Sequence, residues 1–312
     1  MEISTSKCKI AGEVTIPGSK SHTLRGLIIA LLARGESRLL RPLASRDTES
    51  GVAACRALGA VVDVGDPECW IIHGTAGRPV AAPHVLDVGN SGVTLRLGAG
   101  AAALAEGLTE FTGDAQIRRR PVGPLLETLR ALGATAYAKG GNECAPLVVG
   151  GGLKGGRVSI ECPTSQYLSS LLICCPLASG DTEIDVPLLH EKPFVGMTCR
   201  WLQERGIRFE ADDDLQHFRV PGGQSYEAFE RAVPADFSSA AFFMVAAAVT
   251  GSAVLLRGLD MGDTQGDKAI VGMLEEMGCA VGLEPEGLRI RGPERLRGAS
   301  IDLNATPDAL PA

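Results

Sequence analysis

The sequence predicts an α/β protein, with helix and strand in about equal measure (α+β), assembled from one repeated unit. Three observations carry this. Glycines that read as helix stops, Gly59, Gly133, Gly206 and Gly278, recur at intervals of 74, 73 and 72 residues, each where a left-handed residue ends a helix at little steric cost. A small polar helix cap recurs with them, near Ser21, Ser91, Ser165 and Ser238. Short β-branched runs bounded by glycine lie between these marks and read as strands. The unit is therefore strand, capped helix, strand, second helix, glycine stop and strand, and one such unit cannot bury its apolar face alone.

Taken in order, the helix after Ser21 carries Leu24, Leu27, Ile28, Leu31 and Leu32 at i, i+3, i+4, i+7 and i+8, a single apolar stripe. GNSG at 89–92 opens the first helix of the second unit, and Pro121 followed by Leu125, Leu126, Leu129 and Leu132 predicts a proline-started second helix. The third unit has the strand GRVSI at 156–160 and the cap TSQ at 164–166. The fourth has the cap DFSS at 236–239 and the strand GSAVLLRGL at 251–259. One period later ASIDLNA, 299–305, is expected to form a strand, with a cap due near residue 308. The sequence stops at 312, so the expectation is a fragment, or a shortened member, of something longer.

Length and composition narrow the function classes. A chain of 312 residues is long enough for two domains, and 45% hydrophobic residues with only 4% aromatic predict cores of Leu, Val, Ile and Ala. Nine cysteines without regular spacing argue for a reducing compartment and against a disulfide framework, and Cys174 and Cys175 read as core. MEISTSKCKI shows neither a signal-peptide nor a transit-peptide pattern, so a cytoplasmic location is expected. The longest apolar run, 240–249, is far short of the ~20 residues a membrane span needs. A net charge of -7 gives no global attraction to nucleic acid, so any bound anion must be held by a local cluster. The five histidines share no ligand spacing and no C-x-x-C occurs, so no metal is expected. The glycine-rich stretch 140–156 lacks the lysine and hydroxyl of a phosphate loop, and no cofactor is expected.

The helix starts carry the chemistry. PGSKSHTLRG, 17–26, sets Ser21 and Arg25 four apart on one side of a first turn, with Lys20 just ahead. Free N–H groups at a helix start already carry about half a positive charge, so cations there cost about 0.3–1 kcal/mol each unless an anion binds. GNSGVTLRLG repeats the device with Asn90, Ser91, Gly92 and Arg96, and Arg118, Arg119 and Arg120 precede Pro121. Thr164, Ser165 and Gln166 begin another helix, where ordinary capping also explains a hydroxyl. Asp236 and Asp308 stand at helix starts, where a carboxylate is likewise an ordinary cap.

The stretches PGSKSHTLRG, GNSGVTLR, TGDAQIRRRP, TSQYLSSLL, EKPF, DFSSA, QGD and DLNATPDA, in this order, resemble the 5-enolpyruvylshikimate-3-phosphate (EPSP) synthase family along the whole chain. The resemblance implies βαβαββ units, six in two three-unit domains that close over a cleft. Residues 19–234 would form one complete domain on the shikimate 3-phosphate side, and 1–18 with 235–312 an incomplete second domain. It implies transfer of the enolpyruvyl group of phosphoenolpyruvate to the 5-hydroxyl of shikimate 3-phosphate by a monomer with no nucleic-acid or membrane partner. Lys20, Asn90, Gly92, Arg120 and Gln166 would hold phosphoenolpyruvate. Ser21, Arg25, Thr164, Ser165, Gln166 and Asp308 would hold shikimate 3-phosphate, and Lys20 and Asp308 would be catalytic. Where the family has S-K-P-Y the chain has Glu191, Lys192, Pro193 and Phe194, and so loses a serine and a tyrosyl hydroxyl; a carboxylate there repels a phosphate unless Glu191 points away or pairs with a base. Val93 replaces a threonine. Two other readings remain: a carboxyvinyltransferase with a different acceptor, and a truncated, inactive binding module.

Overall fold

The computed structural model describes residues 8–312; residues 1–7, part of the segment assigned above to the second domain, lie outside the described residues. The chain divides into two compact units, Lys20–Val233 and a discontinuous one that joins the segment ending at Ser19 to Pro234–Ala312. Each has its own core. Leu24, Leu27, Leu95, Leu129, Leu168 and Trp201 belong to the larger one, and Ile16, Phe237, Met244, Leu256, Ile270 and Ile290 to the smaller.

The larger unit contains the motif three times. Its helices are α1 (Lys20–Leu32), α2 (Arg46–Ala57), α3 (Gly92–Ala103), α4 (Gly123–Ala131), α5 (Ser165–Cys174) and α6 (Lys192–Glu204). Each pair belongs to a four-stranded sheet whose first strand runs parallel to the second, a pairing that requires a crossover; α3 and α5 supply it in their motifs, whereas in the motif of α1 the first strand comes from far along the chain. The smaller unit repeats the pattern once, with α7 (Phe237–Thr250) and α8 (Ile270–Glu276). Two first strands are exchanged along the sequence. Ala11–Thr15 pairs in parallel with Ala253–Arg257, whereas Glu230–Ala232 pairs in parallel with Glu36–Leu40. That exchange is what makes the smaller unit discontinuous. All four glycine stops lie in the left-handed region, with φ of 105° at Gly59 and 102° at Gly133, as a helix-ending residue without Cβ allows.

Within each motif the two helices have different surroundings. In α1 every residue from Ser21 to Leu32 is buried, not just the predicted stripe, because α1 packs against α2, α3, α6 and strands of its own sheet. The inner helices α3 and α5 are likewise buried almost all round, as a helix enclosed on every side must be. By contrast α2, α4 and α6 keep exposed faces. Close approach of α3 to α5 rests on small residues: a Cβ on Gly100 would lie 2.3 Å from Ser170 Oγ and 3.0 Å from Cys174 Sγ.

Three expectations are corrected. The helix α1 begins at Lys20, so this lysine is part of its first turn. The proline in the first turn of α4 is Pro124, since α4 starts at Gly123 and Pro121 precedes its cap Val122; the Leu pattern located the helix, but the basic run keeps its own short turn, Ile117–Arg119. Residues 299–305 form no strand. Extended backbone becomes a strand only by pairing, and no neighbour among the described residues offers it a ladder.

Gly100→Ala is expected to destabilise the larger unit by about 1–3 kcal/mol, because buried Ser170 and the α5 backbone cannot retreat without opening the α3–α5 contact. A urea midpoint equal to that of the parent chain would refute this account of the packing.

Candidate functional site

The starts of five helices in the larger unit are linked side by side. Lys20 at the start of α1 forms an ion pair with Asp47 of α2, Nζ to Oδ2 3.3 Å. Thr94 Oγ1 of α3 donates to the Asp47 carbonyl at 3.4 Å, and Ser91 caps α3 by accepting from the Thr94 N–H at 3.3 Å. Arg96 reaches from α3 to the start of α5, its Nη1 donating to Gln166 Oε1 at 2.9 Å. Glu191, which precedes α6, accepts from Ser165 N at 3.0 Å and Ser165 Oγ at 2.8 Å, and from Thr164 Oγ1 at 3.3 Å. Unpaired N–H groups and their partial positive charge are thereby concentrated at one end of the unit.

Two buried guanidinium groups hold these starts in place. Arg25 donates through Nε to Thr198 Oγ1 at 2.8 Å, through Nη1 to the Ser21 carbonyl at 3.1 Å, and through Nη2 to Ser169 Oγ at 3.3 Å and the Phe194 carbonyl at 3.0 Å. These bonds use four of its five N–H groups. Burial pushes its pKa down to about 10, opposed by the Glu191 carboxylate, so it remains a cation at neutral pH. Arg96 lies over the Tyr167 ring, 5.4 Å from its centroid, and also donates to the carbonyls of Gly92 and Pro121, each at 3.3 Å. Its pKa too is lowered by burial and raised in part by Tyr167 and Glu191. Its Nε is buried without a hydrogen-bond partner among the described residues, so the other bonds and the ring set its position.

The basic run is exposed by a short turn. The Asp114 carboxylate accepts from the N–H groups of Gln116 and Ile117, both at 2.9 Å, which builds the turn Ile117–Arg119 and leaves Arg118, Arg119 and Arg120 exposed. Arg118 is turned back onto the Gly113 carbonyl, Nε to O 2.7 Å. Arg120 donates to Asn90 Oδ1 at 3.3 Å, and Asn90 Nδ2 donates to Gln116 Oε1 at 3.0 Å. Gly92 lies beneath both guanidinium groups: a Cβ there would be 2.7 Å from Arg96 Nη1 and 3.0 Å from Arg120 Nη1. Only glycine leaves that space to the cations and to a ligand approaching the backbone.

Of the residues named from the sequence, Lys20, Ser21, Arg25, Asn90, Gly92, Arg120, Thr164, Ser165 and Gln166 all lie in the larger unit at or beside these helix starts. Asp308 belongs to the smaller unit, exposed on the one-turn helix Pro307–Ala309. Two readings change. Arg25 and Arg96, read from the sequence as cations of an anion site at helix starts, are buried, with hydroxyl and carbonyl acceptors on neighbouring segments around them. Glu191 does not point away, and among the described residues it makes no hydrogen bond to a base; it occupies the Thr164 and Ser165 donors itself. Sequence reasoning missed Asp47 as the partner of Lys20, and Ser169 and Thr198 as partners of Arg25, because pairs far apart in the chain leave no local spacing.

A family model described as EPSP synthase (3-phosphoshikimate 1-carboxyvinyltransferase) matches residues 5–312. Similar curated proteins include the 3-phosphoshikimate 1-carboxyvinyltransferases of Ruminiclostridium cellulolyticum, 46% identical, and Acetivibrio thermocellus, 49% identical. Each alignment covers 100% of this chain and 73% of the relative. Among solved structures, EPSP synthase from Acinetobacter baumannii is similar with a TM-score of 0.81 and 26% identity, over 97% of this chain and 70% of that one.

Arg25→Met is expected to lower stability by about 3 kcal/mol, because it leaves the Ser169, Thr198 and Phe194 acceptors buried without their donor. Arg25→Lys, with a charge but no planar fork, is expected to fall between. Urea unfolding of both variants checks this, and an unchanged midpoint for Arg25→Met would show that the guanidinium does not tie the helices together.

Proposed function

Because the chain belongs to the EPSP synthase (3-phosphoshikimate 1-carboxyvinyltransferase) family, we propose that the helix starts of the larger unit hold its two anionic substrates. The reaction is transfer of the enolpyruvyl group of phosphoenolpyruvate to the 5-hydroxyl of shikimate 3-phosphate, with release of phosphate, a step of aromatic amino-acid biosynthesis. The observation that carries the site assignment is the gathering of Lys20, Arg25, Arg96 and Arg120 around the N-terminal ends of α1, α3 and α5.

Two phosphates and two carboxylates enter this reaction, so its site needs fixed positive groups that do not reorganise as charge moves. In our assignment the phosphate and carboxylate of phosphoenolpyruvate lie against Lys20, Arg120, Asn90, Gln166 and the backbone at Gly92. Shikimate 3-phosphate lies against Ser21, Arg25, Thr164, Ser165 and Gln166. The 5-hydroxyl oxygen forms a bond to C2 of phosphoenolpyruvate while C3 gains a proton, and the hydroxyl gives up its own. Asp308 is assigned to accept the hydroxyl proton. The tetrahedral adduct then loses phosphate from C2 and a proton from C3, which restores the double bond in the product. Lys20 is assigned to the phosphate that leaves, as a compact cation suits a group whose charge grows on departure.

We assign residues 19–234 as the acceptor-side domain and 1–18 with 235–312 as part of the second. We also propose that the protein works as a monomer in the cytoplasm; all nine cysteines are free thiols, as a reducing compartment keeps them.

Two outcomes test these roles in a phosphate-release assay with both substrates. Arg120→Ala is expected to raise the KM for phosphoenolpyruvate about tenfold or more, the loss of one charge-assisted bond of ~1.5–3 kcal/mol. Asp308→Asn is expected to lower kcat about 100-fold or more, as removal of a general base does. Wild-type constants in both variants would dismiss the assignment.

A further inference from the structure

We propose that Glu191 is a specificity-determining residue: its carboxylate is a built-in anion that holds the start of α5 in the free protein and must be displaced by the phosphate of the acceptor. This rests on the reading that Thr164 and Ser165 receive that phosphate.

Three independent features of the structure support it. First, one carboxylate oxygen, Oε2, takes all three donors at the start of α5: the Ser165 N–H, the Ser165 hydroxyl and the Thr164 hydroxyl. It fills the place that an anionic oxygen of a ligand takes at a helix N-terminus. Second, Glu191 holds a left-handed backbone, φ 57° and ψ 38°, although it is not glycine, and its side chain makes no cap for its own helix α6. A side chain with a Cβ adopts that conformation at a cost, so the bonds to α5 hold it there. Third, the carboxylate lies in the field of both buried guanidinium groups, Arg25 and Arg96, and favours their charged forms. The positive charge of these two guanidinium groups is thus offset from within the chain.

Binding then becomes an exchange of anions. A phosphate oxygen cannot share three donors with a carboxylate, because like charges on one set of donors repel and neither is fully bonded. When the phosphate arrives, Glu191 leaves, Arg25 and Arg96 keep an anionic neighbour, and residue 191 is free to relax from the left-handed region. An acceptor with a plain hydroxyl in that place has no such conflict, for it can donate to the Glu191 carboxylate where it stands. Glu191 therefore narrows the preference for phosphorylated over unphosphorylated acceptor. It stands where the resembling family carries a serine, a residue that adds a donor for phosphate instead of a rival.

The test is equilibrium titration of shikimate 3-phosphate and of shikimate into the parent chain and into Glu191→Ser, Glu191→Gln and Ser165→Ala. Urea unfolding confirms that each variant is folded. Glu191→Gln keeps an acceptor oxygen for α5 and removes only the charge, so it serves if the serine variant is unstable. Both Glu191 variants are expected to bind shikimate 3-phosphate about tenfold more tightly, the scale of one charge-assisted bond no longer contested. Shikimate affinity should stay level or fall, which raises the ratio between the two ligands. A ratio that is unchanged or lower in both Glu191 variants, with Ser165→Ala weakening shikimate 3-phosphate, overturns the role of Glu191 and leaves the site assignment standing. If Ser165→Ala does not weaken shikimate 3-phosphate either, the assignment of the α5 start falls, and this inference with it.

Discussion

Two guanidinium groups buried among helix starts are the constraint on which the larger unit depends. A cation removed from water must be given hydrogen-bond acceptors and a counter-charge, or it destabilises the fold by several kcal/mol. Arg25 and Arg96 find acceptors on α5, on α6 and on the chain before α4. Each helix that supplies an acceptor is thereby fixed in register with α1 and α3. Glu191 supplies the negative charge nearby, and it is recruited from the segment before α6. The same bonds that stabilise the unit therefore decide where the free N–H groups of α3 and α5 point.

The repeat makes this possible. Each motif places one helix inside and one outside, and the inside helices are rich in glycine, alanine and serine where they touch. Small residues bring backbones close, and close backbones let a single arginine side chain span from one helix start to the next. Because the three motifs run in the same sense, their inner helices start at one end of the unit, where positive charge from the backbone and from side chains accumulates. In a protein of net charge -7 such a concentration is local, and a site for phosphorylated small molecules needs no more than that.

The chemistry asks for a site that can discriminate between anions as well as attract them. Exposed Arg120 and half-exposed Lys20 have neighbours that a ligand can replace, Asn90 and Asp47 respectively. Buried Arg25 and Arg96 do not move so readily, since four bonds fix the first and an aromatic ring with three bonds the second. A division follows between cations whose present partners a substrate can replace and cations whose bonds to neighbouring helices also hold the donors in position. Glu191 belongs with the second group by its contacts and with the first by its exchangeability.

Local rules were enough for much of this. The glycine stops, the polar caps and the leucine spacings follow from sterics and periodicity within a few residues, and they yielded the repeat, the helices and the residue types at each helix start. The resemblance carried by the motifs then named the family. Where reading failed, the cause was distance along the chain. That α1 is enclosed on every side, that 299–305 finds no strand partner among the described residues, that Lys20 meets Asp47 and that Arg25 turns inward to Thr198 are decided by neighbours many residues away. The position of the Glu191 carboxylate is the sharpest case: the sequence determined that a negative charge stands just before α6 where the family has a serine, but only the packing of α6 against α5, with two buried cations nearby, decided that it points into the donors at the start of α5.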